Sequence, residues 1–189
     1  MFIKYIENFL TKEECEQIIL LGESIGLIQM KSSLIVDGKL IEENMSYNGN
    51  KRMGCYFHND LLENELLKNI TNKIIELSNN LNPFKGVYYT NVPSYSFNRY
   101  GESDLLEWHS DKHEILNGAT ITFIIQLNDD YEGGDVKYIT HEDSHTTPKK
   151  AGSVLIFDSN IVHSVDAVIK GTRYSLNVWP SKTIKKSIL

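Results

Sequence analysis

The histidines are the residues of this sequence whose types and spacing first suggest chemistry. The chain has six of them, and three begin a His-x-Asp triplet, at His58, His109 and His141. Imidazole and carboxylate groups are the ligands of many iron and zinc sites in proteins. Because such triplets also arise by chance in a chain with 25 acidic residues, each one alone predicts only a polar surface, and the neighbouring sequence has to separate them.

The sequence around the triplets favours the second one. Asp60 is better explained as the N-cap of a predicted helix, and His141 and Asp143 lie in a polar connection rich in turn-forming residues. His109 and Asp111 instead end an apolar run. If that run is extended, the two side chains point the same way, with Cα atoms about 6.5–7 Å apart. One imidazole and one carboxylate then lie on the same side of a metal ion.

A third ligand has to come from elsewhere in the fold, because two histidines and one carboxylate make the facial triad of non-haem Fe(II) oxygenases. The candidate is His163, which follows a predicted apolar strand at residues 154–157 and a short turn. Such a triad leaves three positions open on an octahedral iron, which suits a bidentate cosubstrate plus dioxygen. Zinc remains an alternative for the same ligands, although a zinc hydrolase would also need a general base, and we identify none.

Arg173 adds a cation ten residues after His163. Taken alone, an arginine is expected in a surface or interface ion pair, since most arginines are exposed. In combination with the three metal-ligand candidates, we favour a role in holding a carboxylate through paired hydrogen bonds. Period-two alternation across residues 172–179 places four residues on one face of a strand, namely Arg173, Ser175, Asn177 and Trp179.

The same alternation applies to a strand predicted at residues 120–127, where Thr122 and Gln126 share a face opposite Phe123 and Ile125. The apolar faces of both strands are expected to pack against helices or a second sheet. The polar faces could be solvated, which is usual for an antiparallel sheet, or could line a ligand cavity in a jelly roll. A buried arginine on such a face needs an anionic partner, because an unpaired buried cation is very costly.

The elements that must position these residues change character along the chain. Capping boxes at residues 11–14 and 60–63 predict two helices in the first third, the first ending at Gly22 or Gly26 and the second covering residues 61–77. Residues 31–50 are polar and predict a hairpin with a long loop, or a mobile lid. The last hundred residues predict short strands separated by turns, at 86–92, 95–100, 120–127, 136–140, 154–157 and 172–179. This order favours an α+β fold in which N-terminal helices buttress a jelly roll.

Composition narrows the class of protein. A length of 189 residues favours a single domain with its own core. The net charge of −6 argues against a nucleic-acid partner and an anionic membrane, since both need a basic footprint. No targeting or membrane-spanning segment is evident. The two cysteines, Cys15 and Cys55, are too few for a disulfide framework, so we expect a cytoplasmic protein.

Several motifs occur together and in a fixed order. They are Ile-Glu-Asn-Phe-Leu-Thr-Lys-Glu-Glu-Cys from residue 6, Phe-Asn-Arg-Tyr-Gly from 97, Trp-His-Ser-Asp from 108, Gln-Leu-Asn-Asp-Asp-Tyr-Glu-Gly-Gly-Asp from 126, Pro-Lys-Lys-Ala-Gly-Ser-Val-Leu-Ile-Phe from 148, His-Ser-Val from 163, and Gly-Thr-Arg-Tyr-Ser-Leu-Asn-Val-Trp from 171. In this combination the sequence resembles the 2-oxoglutarate/Fe(II) dioxygenase superfamily, specifically its prolyl 4-hydroxylase-like branch. The resemblance covers nearly the whole chain.

The resemblance implies a single domain over residues 1–189, with helical support over about 1–85 and a catalytic jelly roll, or double-stranded β-helix, over about 86–182. It implies iron ligation by the triad and binding of the far carboxylate of 2-oxoglutarate by Arg173. It assigns four further residues, with Tyr100 assisting that carboxylate, Thr122 and Gln126 lining the cosubstrate pocket, and Trp179 lying near the iron and the substrate. Asn177, on the same strand face, joins Trp179 in the expected substrate pocket. Gln126 departs from the family, since many members have tyrosine there.

The implied activity is hydroxylation of an unactivated C–H bond, coupled to decarboxylation of 2-oxoglutarate to succinate and CO₂, with O₂ as the other cosubstrate and ascorbate as a reductant. A prolyl residue in a peptide or protein is the favoured substrate. A free amino acid or other small molecule could use the same iron site. A non-catalytic jelly-roll binding module is a further alternative, but all three ligands are present. Residues 31–50 and 140–147 are the expected substrate-facing lids.

Overall fold

The structure, a computed structural model, describes residues 2–30, 32–36, 39–43, 52–57, 64–82, 87–92, 95–111, 121–141 and 143–184. Within these ranges, strands dominate and both helices lie in the N-terminal half. The helices are α1 (Lys12–Ile25) and α2 (Glu65–Leu81). None of the helices in this part of the chain is long and apolar enough to cross a membrane.

The strands that precede the predicted jelly roll form one group along the chain. They are β1 (Ile3–Ile6), β2 (Ile28–Gln29), β3 (Ser32–Val36), β4 (Lys39–Glu43) and β5 (Met53–Phe57). Strands β3 and β4 pair antiparallel, which confirms the hairpin predicted within residues 31–50; the remainder of that segment lies outside the described residues.

The remaining strands follow α2. They are β6 (Val87–Asn91), β7 (Tyr95–Tyr100), β8 (Leu106–His109), β9 (Ile121–Gln126), β10 (Glu132–Gly133), β11 (Val136–Thr140), β12 (Asp143–Thr146), β13 (Val154–Asp158), β14 (His163–Val165), β15 (Val168–Lys170), β16 (Arg173–Val178) and β17 (Ser181–Ile184). The six strands predicted from the sequence are all present, with bounds within one residue of those expected.

Two sheets form the jelly roll. The major sheet has seven strands in the order β1-β13-β9-β16-β7-β5-β2, and the minor sheet has four in the order β12-β11-β14-β8. Buried apolar residues form one core between the helices and the outer face of the major sheet, and a second between the two sheets. The predicted α+β fold with a buttressed double-stranded β-helix is confirmed. The N-terminal region also contributes β1, β2 and β5 to the major sheet.

Helix α1 begins and ends as its sequence predicts. The Thr11 side chain accepts a hydrogen bond from the backbone N–H of Glu14, whose carboxylate accepts one from the N–H of Thr11. Gly26 is the C-cap. Gly22 lies inside the helix, where an added Cβ would come within 2.5 Å of the Phe97 ring. The missing side chain therefore lets α1 pack closely on the major sheet.

Helix α2 begins later than predicted. Its N-cap is Asn64, whose side chain accepts hydrogen bonds from the N–H groups of Leu66 and Leu67. The prediction of a start at residue 61 is therefore wrong; Asp60 lies outside the described residues. Asparagine and aspartate cap helices about equally well, which is why the sequence alone favoured the earlier site. The helix also continues to Leu81, one residue before the C-cap that precedes Pro83.

The two faces of β9 and β16 differ as the alternation predicts. Phe123, Ile125 and Leu176 belong to the core under the helices. The opposite face is buried as well, with Thr122 fully enclosed and Gln126 exposing only 6% of its surface. The polar face therefore lines the interior between the two sheets, and the solvated alternative is excluded.

One predicted connection is partly a strand. Residues 143–146 form β12 and pair with β11, Lys137 lying opposite Thr146. The prediction of an irregular connection is wrong here. All four residues of β12 are exposed, so this edge strand buries no face, and its sequence lacks the alternation that would have marked it.

Candidate metal centre and polar cavity

The three predicted metal ligands converge at one end of the space between the sheets. His109 ends β8 and His163 begins β14, and the two residues lie opposite each other in the antiparallel pair. Their ring centroids are 4.1 Å apart. Asp111 follows β8 and is buried, and one ligand atom from each of the three residues lies within 4.8 Å of the others. The fold thus brings together what the sequence separated by more than fifty residues.

Backbone carbonyls fix the orientation of both imidazoles. Nδ1 of His109 lies 2.7 Å from the carbonyl oxygen of Glu107, and Nδ1 of His163 lies 3.1 Å from that of Ile161. Because a carbonyl only accepts, each Nδ1 carries the proton, and each Nε2 presents a lone pair. Burial, followed by the charge of His163, lowers the pKa of His109 to about 4. Its imidazole is therefore neutral near pH 7, as a metal ligand must be.

The carboxylate of Asp111 is held by one oxygen. Oδ2 accepts hydrogen bonds from Thr122 Oγ1 at 3.0 Å and from Trp179 Nε1 at 3.1 Å. Thr122 also contacts the hydroxyl of Ser159 at 2.9 Å. Oδ1 lies 3.6 Å from Nε2 of His109. The two donors fix the carboxylate plane, as polar neighbours of metal ligands commonly do.

Arg173 lies on the major sheet, on the same inner face of β16 as Asn177, and is completely buried. Its guanidinium donates to Ser175 Oγ at 3.2 Å and to Gln126 Oε1 at 3.1 Å, and it lies 5.1 Å from the centre of the Tyr100 ring. Nε is buried without a hydrogen-bond partner. These acceptors are neutral, so they leave the charge uncompensated, and a buried cation of this kind favours an anionic ligand.

Tyr131 lies beside Arg173 and Gln126 and is a residue of this site that the sequence reasoning missed. Its hydroxyl accepts a hydrogen bond from Gln126 Nε2 at 3.0 Å. Burial raises the pKa of Tyr131, while the charge of Arg173 and a hydrogen bond from it act in the opposite direction. Tyr131 lies in the Asn-Asp-Asp-Tyr-Glu-Gly-Gly turn, so no strand alternation marked it; the only available signal was an aromatic residue within a motif of the resemblance.

The structure places the other candidates in or beside the same space. Trp179 contacts Asp111 directly, and Asn177 lies between Trp179 and Ser175 on the inner face of β16, with its Oδ1 buried and without a partner. The Thr122 hydroxyl is hydrogen-bonded to Asp111 and Ser159, so it is not free to bind a cosubstrate. The remaining histidines of the described chain lie elsewhere: His141 and His145 are exposed, and His145 contacts Thr140.

These residues fit the groups that the resemblance implies. Two imidazoles with Nε2 lone pairs and one carboxylate are the donor set of an Fe(II) facial triad. A buried guanidinium with an unpartnered Nε fits a carboxylate. The site therefore has ligands for a metal at one end and a cation that can bind an anion at the other. A bidentate oxo acid with a distant carboxylate requires both.

Comparison with known proteins supports this interpretation. Residues 95–181 match the family model of the 2OG-Fe(II) oxygenase superfamily. A PKHD-type hydroxylase of Acinetobacter baumannii is 26% identical over 98 residues, 47% of this chain and 43% of that protein. A PKHD-type hydroxylase of Alteromonas mediterranea is 26% identical over 183 residues, 92% of this chain and 76% of that protein. The first of these matches covers less than half of the relative's length. The family model and both relatives confirm the predicted resemblance.

Solved structures show the same fold. A Pseudomonas putida prolyl-4-hydroxylase superposes with a TM-score of 0.72 at 14% identity, covering 94% of this chain and 91% of that one. A viral collagen prolyl hydroxylase from Paramecium Bursaria Chlorella virus-1, in complex with 2OG, gives 0.69 at 17% identity, covering 97% of each chain. A Trichoplax adhaerens prolyl hydroxylase in complex with a hypoxia inducible factor peptide gives 0.69 at 18%, covering 94% and 82%.

Proposed function

We propose that this chain, whose residues 95–181 belong to the 2OG-Fe(II) oxygenase superfamily, hydroxylates an unactivated C–H bond of a prolyl residue in a peptide or protein. The reaction consumes 2-oxoglutarate and O₂ and releases succinate and CO₂. The observation that carries the proposal is the fully buried Arg173, whose partners are neutral, in the same interior as the His109, Asp111 and His163 cluster.

The metal is held by Nε2 of His109, Nε2 of His163 and one carboxylate oxygen of Asp111. Thr122 and Trp179 both donate to Oδ2 of Asp111 and so fix the carboxylate, whose two oxygens lie 3.6 Å from Nε2 of His109 and of His163 respectively. Bound Fe(II) supplies the activation of O₂ that a protein side chain cannot perform. The carbonyls of Glu107 and Ile161 hold Nδ1 of each imidazole and so turn both Nε2 atoms toward the site.

The cosubstrate is oriented by the cation at the other end. Arg173 binds the far carboxylate of 2-oxoglutarate, and Gln126 holds the guanidinium in place by accepting from Nη2. Gln126 stands where many family members have tyrosine, and its Nε2 contacts the Tyr131 hydroxyl. We therefore assign Tyr131 the hydroxyl that position 126 lacks. Tyr100 encloses the guanidinium with its ring.

A peptidyl substrate is supported by the solved relatives, one of which is bound to a peptide, and by the open metal end of the cavity. Asn177 near the end of β16 and Trp179, which directly follows the strand, lie toward that end and contact the substrate there. We further propose a cytoplasmic location, because Cys15 and Cys55 are both free. Ascorbate as reductant is proposed from the family resemblance. The whole chain acts as one domain, since strands from both halves share the major sheet.

The test is anaerobic titration of the protein with Fe(II) and 2-oxoglutarate, followed by succinate detection in air with proline-containing peptides. We expect 2-oxoglutarate to bind only when metal is present and peptides to accelerate succinate release. Absence of metal-dependent binding would overturn the enzyme assignment. Succinate release that free amino acids stimulate and peptides do not would replace the peptidyl substrate with a small molecule.

A further inference from the structure

Two aromatic side chains of the minor sheet continue the row of the metal cluster and have no part in the proposed chemistry. Tyr138 of β11 lies directly opposite His163 of β14, and His145 of β12 lies directly opposite Tyr138. His163 in turn lies opposite His109 of β8. Because opposite residues of an antiparallel pair point to the same face, these four side chains form one row across the minor sheet. The row begins with two candidate metal ligands and ends at the sheet edge.

This row lies on the inner face of the minor sheet, and the end of the row is open. Val136, two residues before Tyr138 on β11, belongs to the core between the sheets, and Tyr138 packs against that core while remaining partly exposed. All four residues of β12 are exposed, including His145. The inner face is therefore covered around Val136 and accessible to a ligand at its β12 edge.

The side chains at this edge combine aromatic rings with oxygen acceptors. The Tyr138 and His145 rings are stacked, with centroids 5.2 Å apart and planes inclined by 24°. Oγ1 of Thr140 lies 2.6 Å from Nε2 of His145 and fixes that ring. Asp143 lies directly opposite Thr140, so its exposed carboxylate is on the same face. We call these four residues the edge surface; Asp143 gives it a negative charge.

The charge of the edge surface is not neutralised by the lysine nearest to it in sequence. Lys137 precedes Tyr138 on β11 and points to the outer face, because side chains alternate along a strand. There it forms an ion pair with Asp166 at 2.7 Å. The whole chain carries a net charge of −6. The edge surface therefore suits a cation, which aromatic rings and carboxylates both attract.

The strand spacing gives the distance from the metal cluster to the edge surface. Adjacent strands lie about 4.8 Å apart, so His145 is two strands, or about 10 Å, from His163. An extended peptide advances about 3.3 Å per residue. A peptide whose target proline lies at the metal therefore has a residue about three positions away at the edge surface.

We propose that the edge surface binds a basic side chain of the substrate, an arginine two to four residues from the hydroxylated proline. This inference rests on the proposed function and narrows its peptide substrates to those with a basic residue at that distance. A guanidinium packs on aromatic rings and donates paired hydrogen bonds to a carboxylate, so Tyr138 and Asp143 both act on it. The negative net charge also favours association with a basic peptide.

The test uses short alanine and glycine peptides with blocked termini, each containing one proline and one arginine. The arginine is placed two, three or four residues before or after the proline. Each peptide has a partner in which citrulline, the neutral isostere, replaces arginine. Binding to the anaerobic complex of the full chain with Fe(II) and 2-oxoglutarate is measured by calorimetry, and kcat/KM is measured in air by succinate release.

At one spacing or more, we expect the arginine peptide to bind about five- to tenfold more tightly than its citrulline partner, which corresponds to a cation–π contact plus a partly exposed ion pair. The kcat/KM ratio should follow. Asp143→Asn and Tyr138→Leu should each lower the ratio to about threefold or less, since each removes one of the two contacts. Because Asp143 lies two strands from His163, Asp143→Asn should leave the Fe(II) and 2-oxoglutarate dissociation constants within about twofold of wild type.

Two matched variants control for charge and for packing. Glu132→Gln removes an exposed carboxylate from β10, which belongs to another sheet. Ile139→Ala truncates an exposed side chain on the outer face of β11. Both variants should retain the full preference for arginine.

Equal binding of arginine and citrulline peptides by wild type at every spacing would overturn the inference, and so would an unchanged ratio in Asp143→Asn. An equal fall of the ratio in Glu132→Gln would replace the edge surface with a general effect of the negative chain. If 2-oxoglutarate does not bind with metal, or if no peptide is turned over, the proposed function itself fails. That result is distinct from turnover of peptides without a preference for arginine.

Discussion

The two ends of the barrel interior hold their functional groups in different ways. At the metal end, the His109 side chain is 32% exposed, and the ligands come from two strands of the minor sheet and the segment that follows β8. At the other end, Arg173 has no exposed surface and lies within the major sheet. An open end suits groups that must arrive and leave, such as O₂ and a large substrate. A sealed end suits one anion whose binding is strengthened by the absence of water.

The difference also concerns what each end lacks. At the metal end, the imidazoles and the carboxylate are already oriented by hydrogen bonds with neutral neighbours, two carbonyls that accept and a hydroxyl that donates. At the sealed end, a cation is oriented by Ser175 and Gln126 but is not neutralised. Metal affinity should therefore depend on residues of the first group alone, and 2-oxoglutarate affinity on both groups, because the metal also binds the cosubstrate.

The largest effect that would test this division is loss of a metal ligand. His163→Ala should lower the affinity for Fe(II) on the order of 100-fold or more, since even residues that only support a ligand change metal affinity about 10–100-fold. Binding of 2-oxoglutarate should be lost with it. Anaerobic calorimetry with Fe(II) measures the first quantity, and His141→Ala is the matched control, because that histidine follows β11, is exposed and does not belong to the cluster of possible metal ligands. Retained iron binding in His163→Ala would mean that the wrong histidine has been assigned.

Loss of the buried cation should separate the two ends. Arg173→Gln removes one partner of the proposed ion pair, a change that typically costs about 2–5 kcal/mol, or roughly 30-fold to several thousandfold in the dissociation constant of 2-oxoglutarate. Affinity for Fe(II) should stay within about threefold, since Arg173 does not contact the ligands. Arg99→Gln is the control for a lost positive charge, because the guanidinium of Arg99 forms an ion pair with Glu23 of α1, away from the barrel interior. A parallel fall in iron affinity would show that the two ends are not independent.

The metal end was easier to predict from the sequence than the sealed end. His109 and Asp111 are two residues apart, so strand geometry alone placed them together. His163 followed from its position after an apolar strand. Arg173 was placed on the correct face by alternation, because β16 has a regular pattern of polar and apolar residues.

Residues whose position depends on tertiary packing were not predicted. Tyr131 contacts Gln126 because the turn between β9 and β10 brings its hydroxyl to the end of β9. Strand β5 joins the major sheet between β7 and β2, and its run Met-Gly-Cys-Tyr-Phe has no alternation that would have marked it as a strand. The start of α2 was misplaced because Asp60 and Asn64 are both good N-caps, and only the packing of the helix selects between them.

A smaller effect at the metal end would sharpen the role of Thr122. Thr122→Val removes the hydroxyl that donates to Asp111 Oδ2 while keeping the shape of the side chain. We expect Fe(II) affinity to fall about 10-fold, in the range found for residues that orient metal ligands, and 2-oxoglutarate affinity measured at saturating metal to change less. Anaerobic calorimetry gives both constants. A selective loss of 2-oxoglutarate affinity would instead return Thr122 to the cosubstrate pocket that the sequence resemblance implied.

The smallest effect concerns Tyr131 at the sealed end. Tyr131→Phe removes only the hydroxyl, which contacts Gln126 and Arg173, and a net hydrogen bond contributes about 0.5–1.5 kcal/mol. The dissociation constant of 2-oxoglutarate should therefore rise roughly 2- to 12-fold, with Fe(II) affinity unchanged. Gln126→Tyr tests the same point from the other side: it places a hydroxyl where many relatives have one, and in combination with Tyr131→Phe it should restore part of the lost affinity. If Tyr131→Phe alone leaves 2-oxoglutarate binding unaltered, the buried hydroxyl serves only to hold Gln126, and the guanidinium of Arg173 suffices to bind the anion.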